Sequence, residues 1–178
     1  MKKIFRQATS FTLIELLAVI AIIGILSGLV LGGAGAVRQR AARGQAKAEI
    51  AAIEAGLARY QMDFGVYPVA AISISGNSYV ATPTSYTTAG QALFTNLWGA
   101  SNYAATTGTK QYLSTKPAMV YTNTSPNYFS DPWGYAYGYY WSGTRSQYGG
   151  AAPDVWSTGG QSGLSGQTNR LKWITSWE

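Results

Sequence analysis

A long uncharged run near the start of the chain constrains its fold more than any other feature. The 22 residues from Leu16 to Val37 carry no charged side chain. As a helix they would extend about 33 Å, which is enough to cross the hydrocarbon core of a bilayer. A carboxylate, Glu15, lies at the start of this run, in the stretch SFTLIELLAVIAIIGIL. Because a charge at membrane depth is unfavourable by about 2.5–3.5 kcal/mol, Glu15 needs a partner.

Three interpretations of this segment compete. The first is a secretory signal peptide, with an A-x-A-like cleavage site at Ala34-Gly35-Ala36. Its apolar core would need only about 7–15 residues, and the run is longer than that. The second is a plain transmembrane anchor, in which Glu15 reaches the headgroups and is satisfied by the helix N-terminus. The third gives Glu15 a role in assembly between copies of the chain.

The third interpretation depends on the segment Phe11–Leu17, which reads FTLIELL. It resembles the N-terminal motif of type IV pilins and of type II secretion pseudopilins. The resemblance implies that prepilin peptidase cuts between Ser10 and Phe11 and that the new amine of Phe11 is methylated. The family usually has glycine before the cut, where this chain has Ser10. The resemblance also implies that Glu15 of one copy pairs with the Phe11 amine of the next, which would supply the opposite charge that a buried carboxylate needs.

The helical pattern continues beyond the apolar run. Apolar side chains recur at spacings of three and four, which predicts one buried stripe on a helix: Ile50, Ile53, Leu57 and Tyr60. We therefore predict one helix from about Thr12 to about Met62. Asp63-Phe64-Gly65-Val66-Tyr67-Pro68 should end it, because Gly and Pro break helices. The resulting spacing, Y-x-x-D-x-G-x-Y-P, is similar to the helix exit of the G-type pseudopilins.

The C-terminal part predicts a short helix and a small sheet. Gln91–Trp98 has the pattern of a short amphipathic helix, and Ala118–Tyr121 that of a short strand. In Ser130–Trp141, a D-P-W-G turn precedes alternating aromatic residues at 135, 137 and 139, which predicts a strand. This stretch, Asp154–Gly160 and Trp173–Trp177 resemble successive strands of the G-type pseudopilins. The predicted fold is α+β, with a small antiparallel sheet laid over the C-terminal half of the long helix.

These patterns divide the chain into four parts. Residues 1–10 form a basic leader, and residues 11–37 a hydrophobic transmembrane or filament-core helix. Residues 38–62 continue the helix in amphipathic form, and residues 63–178 form a polar, aromatic-rich globular domain. The resemblance implies a single-pass protein of the bacterial inner membrane, with the C-terminal domain in the periplasm and a filament after assembly.

The composition argues against catalysis and against a cofactor. The chain has no Cys and no His, which excludes cysteine nucleophiles, disulfides, Cys/His zinc sites and histidine acid–base chemistry. Asp63, Asp131 and Asp154 remain, but two of them lie in turn motifs, so we predict no catalytic residue. The family often holds calcium in the loop that corresponds to Ser157–Gly163. That loop contains no acid here, so we expect the calcium site to be lost and predict no metal or cofactor.

The resemblance predicts a structural subunit of a helical pseudopilus, most closely the major pseudopilin of a type II secretion system. Its implied partners are prepilin peptidase, further copies of the chain, minor pseudopilins, the assembly platform and inner-membrane lipid. Two alternatives remain: a surface type IV pilus subunit for adhesion, motility or DNA uptake, and a membrane-tethered carbohydrate-binding module with an aromatic platform at Tyr135, Tyr137, Tyr139 and Trp141. The basic residues Arg40, Arg43 and Lys47 could contact lipid phosphates or DNA; we favour a solvated helix face and expect no nucleic acid.

Overall fold

The computed structural model describes residues 11–69, 74–75, 78–79, 87–104, 108–144, 146, 148, 150–161 and 172–177. The chain divides into two compact units, residues 1–40 and residues 41–178. The predicted leader, residues 1–10, lies outside the described residues. The secondary structure is α+β, as the sequence predicts.

The first helix, α1, spans Leu13–Phe64 and confirms the prediction of one long helix. In the first unit, the large apolar side chains from Phe11 to Leu26 are between 46% and 76% exposed. Leu and Ala are strong helix formers, and Leu is the most frequent residue in the first two turns of α1. A helix therefore forms there although β-branched residues lie among them. Among the described residues, no helix has the length and apolar character needed to cross a membrane.

In the second unit, α1 contributes a stripe to the hydrophobic core. Four residues of the stripe are almost fully buried: Ala46, Ile50, Ile53 and Leu57. The predicted stripe is therefore confirmed, although Tyr60 at its end is only half-buried. The helix ends where predicted, because Gly65 adopts a left-handed φ of 72°. Its N–H donates to the Gln61 carbonyl over 2.7 Å, the hydrogen bond of a glycine C-cap.

A second helix, α2, spans Thr87–Trp98 and buries Leu93, Phe94 and Leu97. It begins four residues before the predicted start at Gln91. The sequence disfavours helix there because Gly90 is a poor helix former. In the structure, Gly90 lies where a Cβ atom would come within 3.2 Å of the Tyr137 carbonyl oxygen, so close packing on the sheet selects glycine.

All the strands in the described part of the chain are short and pair antiparallel. Two of the sheets have two strands each: β1 (Ile74–Ser75) pairs with β2 (Ser78–Tyr79), and β3 (Val120–Tyr121) pairs with β4 (Tyr128–Phe129). The third has three strands, in the order β5 (Gly138–Tyr140), β6 (Asp154–Ser157) and β7 (Ile174–Thr175). β3 confirms the strand predicted near residues 118–121, and β6 and β7 confirm those predicted from the two C-terminal motifs. A 3-10 turn, Pro117–Met119, leads into β3.

The three-stranded sheet has a fully buried central strand, since all four residues of β6 are buried. Gly138 is paired directly with Trp156, and a Cβ atom at residue 138 would lie 2.0 Å from Cε2 of that indole. Gly138 therefore provides the space in which the Trp156 ring packs. The largest fully buried side chains among the described residues are this ring and those of Tyr137, Tyr139, Phe94 and Phe129.

The D-P-W-G turn is present, but the strand after it starts later than predicted. The N–H of Gly134 donates to the Asp131 carbonyl over 2.8 Å, and the Asp131 N–H donates to the Tyr135 carbonyl over 2.7 Å. These hydrogen bonds hold residue 135 in the turn, and Ala136 makes an isolated bridge to Ser130. The predicted alternation from residue 135 is therefore realised as a strand only from Gly138.

Candidate assembly segment and acidic sites

The first turn of α1 places Glu15 at the third helical position, three residues after the N-cap residue Thr12. The Thr12 N–H donates to Glu15 Oε2 over 2.8 Å, and the Thr12 hydroxyl donates to the same oxygen over 2.7 Å. In return, the Glu15 N–H donates to Thr12 Oγ1 over 3.4 Å. This arrangement is a capping box, in which the two residues satisfy N–H groups that the helix itself leaves without acceptors.

The capping box gives Glu15 a partner within its own chain. The expectation for Glu15 included no contact with Thr12, although the Thr-x-x-Glu spacing before an apolar run is the signature of a capping box. In the single chain, the N-terminus of α1 therefore satisfies the Glu15 carboxylate, as the plain-anchor interpretation assumes. Only Oε2 takes part, and within the described residues no donor reaches Oε1.

Phe11, the predicted new N-terminus, precedes the capping residue and is 73% exposed. Ser10, on the other side of the predicted cut, lies outside the described residues. In the described part of the chain, no hydrogen bond or ion pair joins Phe11 to Glu15 of the same molecule. Such a contact was expected between copies, so the single chain leaves the predicted pairing untested.

Asp63 forms a small polar cluster at the C-terminal end of α1. Its Oδ2 accepts hydrogen bonds from the Lys110 ammonium over 2.5 Å and from the Tyr112 hydroxyl over 2.8 Å. The hydrogen bond from Lys110, followed by that from Tyr112, lowers the pKa of Asp63 below its usual value. A carboxylate held ionised in this way links α1 to residues 110–112 and is poorly suited to act as a base.

Asp131 organises the D-P-W-G turn. Its Oδ1 accepts the N–H groups of Trp133 and Tyr135 over 3.1 and 2.9 Å, and its Oδ2 accepts the Ser157 hydroxyl over 2.6 Å. Burial is the main influence on its ionisation and raises the pKa of the Asp131 carboxyl. The third candidate acid, Asp154, is fully buried in β6 and accepts the N–H of Tyr148 over 2.8 Å.

Each of these three acids holds backbone or side-chain groups of the fold. Within the described residues, no three acidic side chains come together in a group that could hold a metal ion. The structure therefore assigns structural contacts to Asp63, Asp131 and Asp154.

Comparison with known protein families gives a match at the N-terminal segment. The sequence model of the prokaryotic N-terminal methylation motif matches residues 6–31, which include Phe11 and the capping box. The N-terminal segment is therefore similar to that of the type IV pilin-like proteins.

A curated relative is similar to this chain over a longer stretch. The chain is 38% identical over 68 residues to the type II secretion system core protein G of Vibrio cholerae serotype O1 (strain ATCC 39315 / El Tor Inaba N16961). The match covers 38% of this chain and 46% of the relative, so the chain spans less than half the length of the curated relative it matches. A search of solved structures found no match.

The loop after β6 does not fit the calcium site that the resemblance implies. Its Ser157 hydroxyl is committed to Asp131, and the Gly159 N–H donates to Ser157 Oγ over 3.0 Å. Ser162 and Gly163 lie outside the described residues, but neither is an acid. Calcium takes about six to eight oxygen ligands, normally with carboxylates among them, and this loop offers none of its own.

Proposed function

We propose that this chain is a structural subunit of a helical pseudopilus, most closely the major pseudopilin of a type II protein secretion system. The observation that carries the proposal is the N-terminal methylation motif over residues 6–31, which includes Phe11 and Glu15. The likeness to a type II secretion core protein G favours a secretion pseudopilus over a surface pilus. A structural subunit needs no active site, which agrees with the structural contacts of the three candidate acids.

Processing would change the electrostatics of the first turn. Prepilin peptidase would cut between Ser10 and Phe11, and the new N-terminal amine would be positively charged and methylated. The capping box engages Glu15 Oε2, and the described residues supply no donor to Oε1. The carboxylate can therefore keep its cap and still accept the amine of a neighbouring copy, which would fix the register of adjacent subunits in an apolar surrounding.

The proposal also assigns a location to each part. Residues 11–37 would lie in the inner membrane before assembly and in the filament core afterwards. Residues 63–178 would form the periplasmic domain, reached through the helix continuation 38–62. Minor pseudopilins and the assembly platform would be the further partners, as the family resemblance suggests.

The carbohydrate-binding alternative loses its main support. Three of the four aromatic residues proposed as a platform are buried, namely Tyr137, Tyr139 and Trp141. Tyr135, the fourth, is half-buried. Sugar-binding platforms need exposed ring faces, and these rings are used for packing instead. A surface pilus subunit remains the second candidate, because the same N-terminal motif would serve either filament.

The first test is the N-terminus of the mature protein. The chain would be expressed with prepilin peptidase, extracted from membranes and examined by intact-mass and N-terminal peptide mass spectrometry. We expect a methylated Phe11 as the first residue. A first residue at Val37 would support a signal peptide, and an intact Met1 would support a plain anchor; either result contradicts the proposal.

The second test separates charge pairing from helix capping. Glu15→Gln removes the charge but keeps an oxygen that can accept the Thr12 N–H. Thr12→Val removes the capping hydroxyl but keeps the charge. We expect Glu15→Gln to insert into membranes normally and to form few filaments by electron microscopy, while Thr12→Val assembles. Normal filaments from Glu15→Gln, or equal loss in both variants, would refute pairing as the function of Glu15.

A further inference from the structure

A basic cleft in the second unit has no role in the proposed function. It has a volume of about 310 Å³ and lies between α1 and β7. Its lining consists of Arg43, Gly44 and Lys47 from α1 and of Trp173, Ile174 and Thr175 from the closing strand. Among the described residues, the lining therefore contains two cations and no acid.

Two other clefts in the described residues differ in this respect. One is lined by Glu49 together with Lys116, so its charges are mixed. The other includes Lys110, which already pairs with Asp63. In contrast, neither Arg43 nor Lys47 forms an ion pair with any residue that the structure describes. Two uncompensated cations in one cleft favour an anionic ligand.

Arg43 is held in place by the fold. Its Nη1 donates to the Lys172 carbonyl over 2.8 Å, across 129 residues of sequence. Gly159, at a φ of 64°, allows this approach, because a Cβ atom there would lie 2.7 Å from the same carbonyl oxygen and 3.3 Å from Arg43 Nη1. A guanidinium has five N–H donors, so one fixed hydrogen bond orients the group and leaves others for a ligand.

Trp173 supplies an independent observation. Its side chain lines the cleft and is only 4% exposed, yet its indole Nε1 has no hydrogen-bond partner among the described residues. An indole N–H can only donate, and a buried donor without an acceptor is unfavourable by about 1–3 kcal/mol. A ligand with several acceptor oxygens could satisfy this donor together with the two cations.

We propose that this cleft binds a phosphate group, carried either by an anionic phospholipid headgroup or by free inorganic phosphate. A phosphate combines negative charge with several acceptor oxygens, and arginine recognises it with two parallel hydrogen bonds. The indole N–H and the Lys47 ammonium bind further oxygens. The Thr175 hydroxyl, at the edge of β7, is a fourth polar group in the lining. The site does not depend on filament assembly.

The test uses the full chain in a neutral detergent. Inorganic phosphate is titrated by calorimetry at low ionic strength. Phosphatidylglycerol and diacylglycerol with the same acyl chains are compared by native mass spectrometry. The variants are Arg43→Gln and Lys47→Gln. The matched control is Arg59→Gln, which removes an exposed arginine of the same helix that does not line the cleft.

We expect Arg43→Gln and Lys47→Gln each to weaken phosphate-group binding by about tenfold, and Arg59→Gln to leave it unchanged. Ligand binding should also shift the indole N–H resonance of Trp173. Binding of phosphatidylglycerol in preference to diacylglycerol identifies the lipid headgroup, and binding of inorganic phosphate alone identifies free phosphate. Binding of neither probe, or equal effects of Arg43→Gln and Arg59→Gln, would overturn the proposal. If Arg43→Gln does not fold, Lys47→Gln decides, because Lys47 is exposed and makes no hydrogen bond within the described residues.

Discussion

Thr12 and Glu15 cap the first turn of α1 in both directions, each accepting the backbone N–H of the other. Replacing the Thr12 hydroxyl in Thr12→Val should destabilise this turn by about 1 kcal/mol. The amides of Glu15 and Leu16, which donate to Thr12, should then exchange with solvent roughly fivefold faster, because 1.4 kcal/mol corresponds to a factor of ten. Hydrogen exchange of the full chain in detergent micelles measures this effect.

The control for this prediction is Thr12→Ser, which keeps the hydroxyl and should exchange like the wild type. Glu15→Gln should lie between the two, since an amide oxygen accepts the Thr12 N–H more weakly than a carboxylate does. Equal exchange rates in Thr12→Ser and Thr12→Val would show that the capping hydroxyl does not stabilise the turn.

The buried hydroxyl of Tyr137 connects the sheet to α1 by donating to Glu49 Oε2 over 2.5 Å. Burial, reinforced by Glu49, raises the pKa of the Tyr137 hydroxyl well above its usual value, so it remains a donor throughout the ordinary pH range. We expect Tyr137→Phe to lower the free energy of unfolding by about 1.5–3 kcal/mol, the usual range for hydrogen bonds to charged groups. Thermal unfolding followed by near-ultraviolet circular dichroism would measure the loss.

Tyr135→Phe is the matched control for Tyr137→Phe. Tyr135 is half-buried and its hydroxyl makes no hydrogen bond in the described residues, so its removal should change stability by less than about 0.5 kcal/mol. If both variants unfold at the same temperature, the contact with Glu49 contributes nothing measurable.

The sequence predicts those features of the fold that depend on local signals. The span of α1 follows from helix formers and periodicity, and its end follows from Gly65, because only glycine adopts a left-handed φ without strain. The stripe of Ile50, Ile53 and Leu57 follows from spacing alone. The D-P-W-G turn is likewise a local structure, closed by the Asp131 carboxylate and carbonyl.

Contacts between distant residues could not be predicted in the same way. Asp63 and Lys110 are 47 residues apart, and Glu49 and Tyr137 are 88 apart. A single sequence does not show which distant residues meet, so Glu49 and Asp63 had no predicted partners. Gly90 shows the same limit for secondary structure, because its place in α2 is decided by the neighbouring Tyr137 carbonyl. The capping box is different, since its signature is local and could have been found.

Gly138 should be irreplaceable in the three-stranded sheet. A Cβ atom there would lie 2.0 Å from Trp156 Cε2 and 2.3 Å from Cζ2, and Trp156 is fully buried. We expect Gly138→Ala to destabilise the second unit by about 3 kcal/mol, the upper part of the usual range for overpacking. Thermal unfolding and the tryptophan emission maximum would report the loss and the displaced ring.

Gly44→Ala is the opposite case and serves as the control. Gly44 lies within α1, and a Cβ atom there would meet nothing within 4 Å. Alanine in a helix interior is favoured over glycine by about 0.5–1 kcal/mol, so this variant should be more stable than the wild type. A similar loss of stability in both variants would show that the predicted clash with Trp156 is not the cause.

The Asp63 cluster makes stability depend on pH in a direction that can be derived. Hydrogen bonds from Lys110 and then Tyr112 lower the pKa of Asp63 in the folded chain, so folding favours the ionised carboxylate. The ionised carboxylate therefore contributes fully to the free energy of unfolding above the pKa of the unfolded chain, about 3.9. This contribution is lost as the pH falls through the lower pKa of Asp63 in the folded chain. Asp63→Asn should therefore unfold at a lower temperature than the wild type at pH 7, and the difference should vanish at acid pH.

Glu54 should affect stability in the opposite direction, because partial burial raises its pKa. Glu54→Gln should therefore gain stability at pH 7 and lose that gain on acidification. Melting temperatures from pH 7 to about pH 2 in the same detergent test both signs, and a constant offset for Asp63→Asn across this range would exclude the ion pair as its origin.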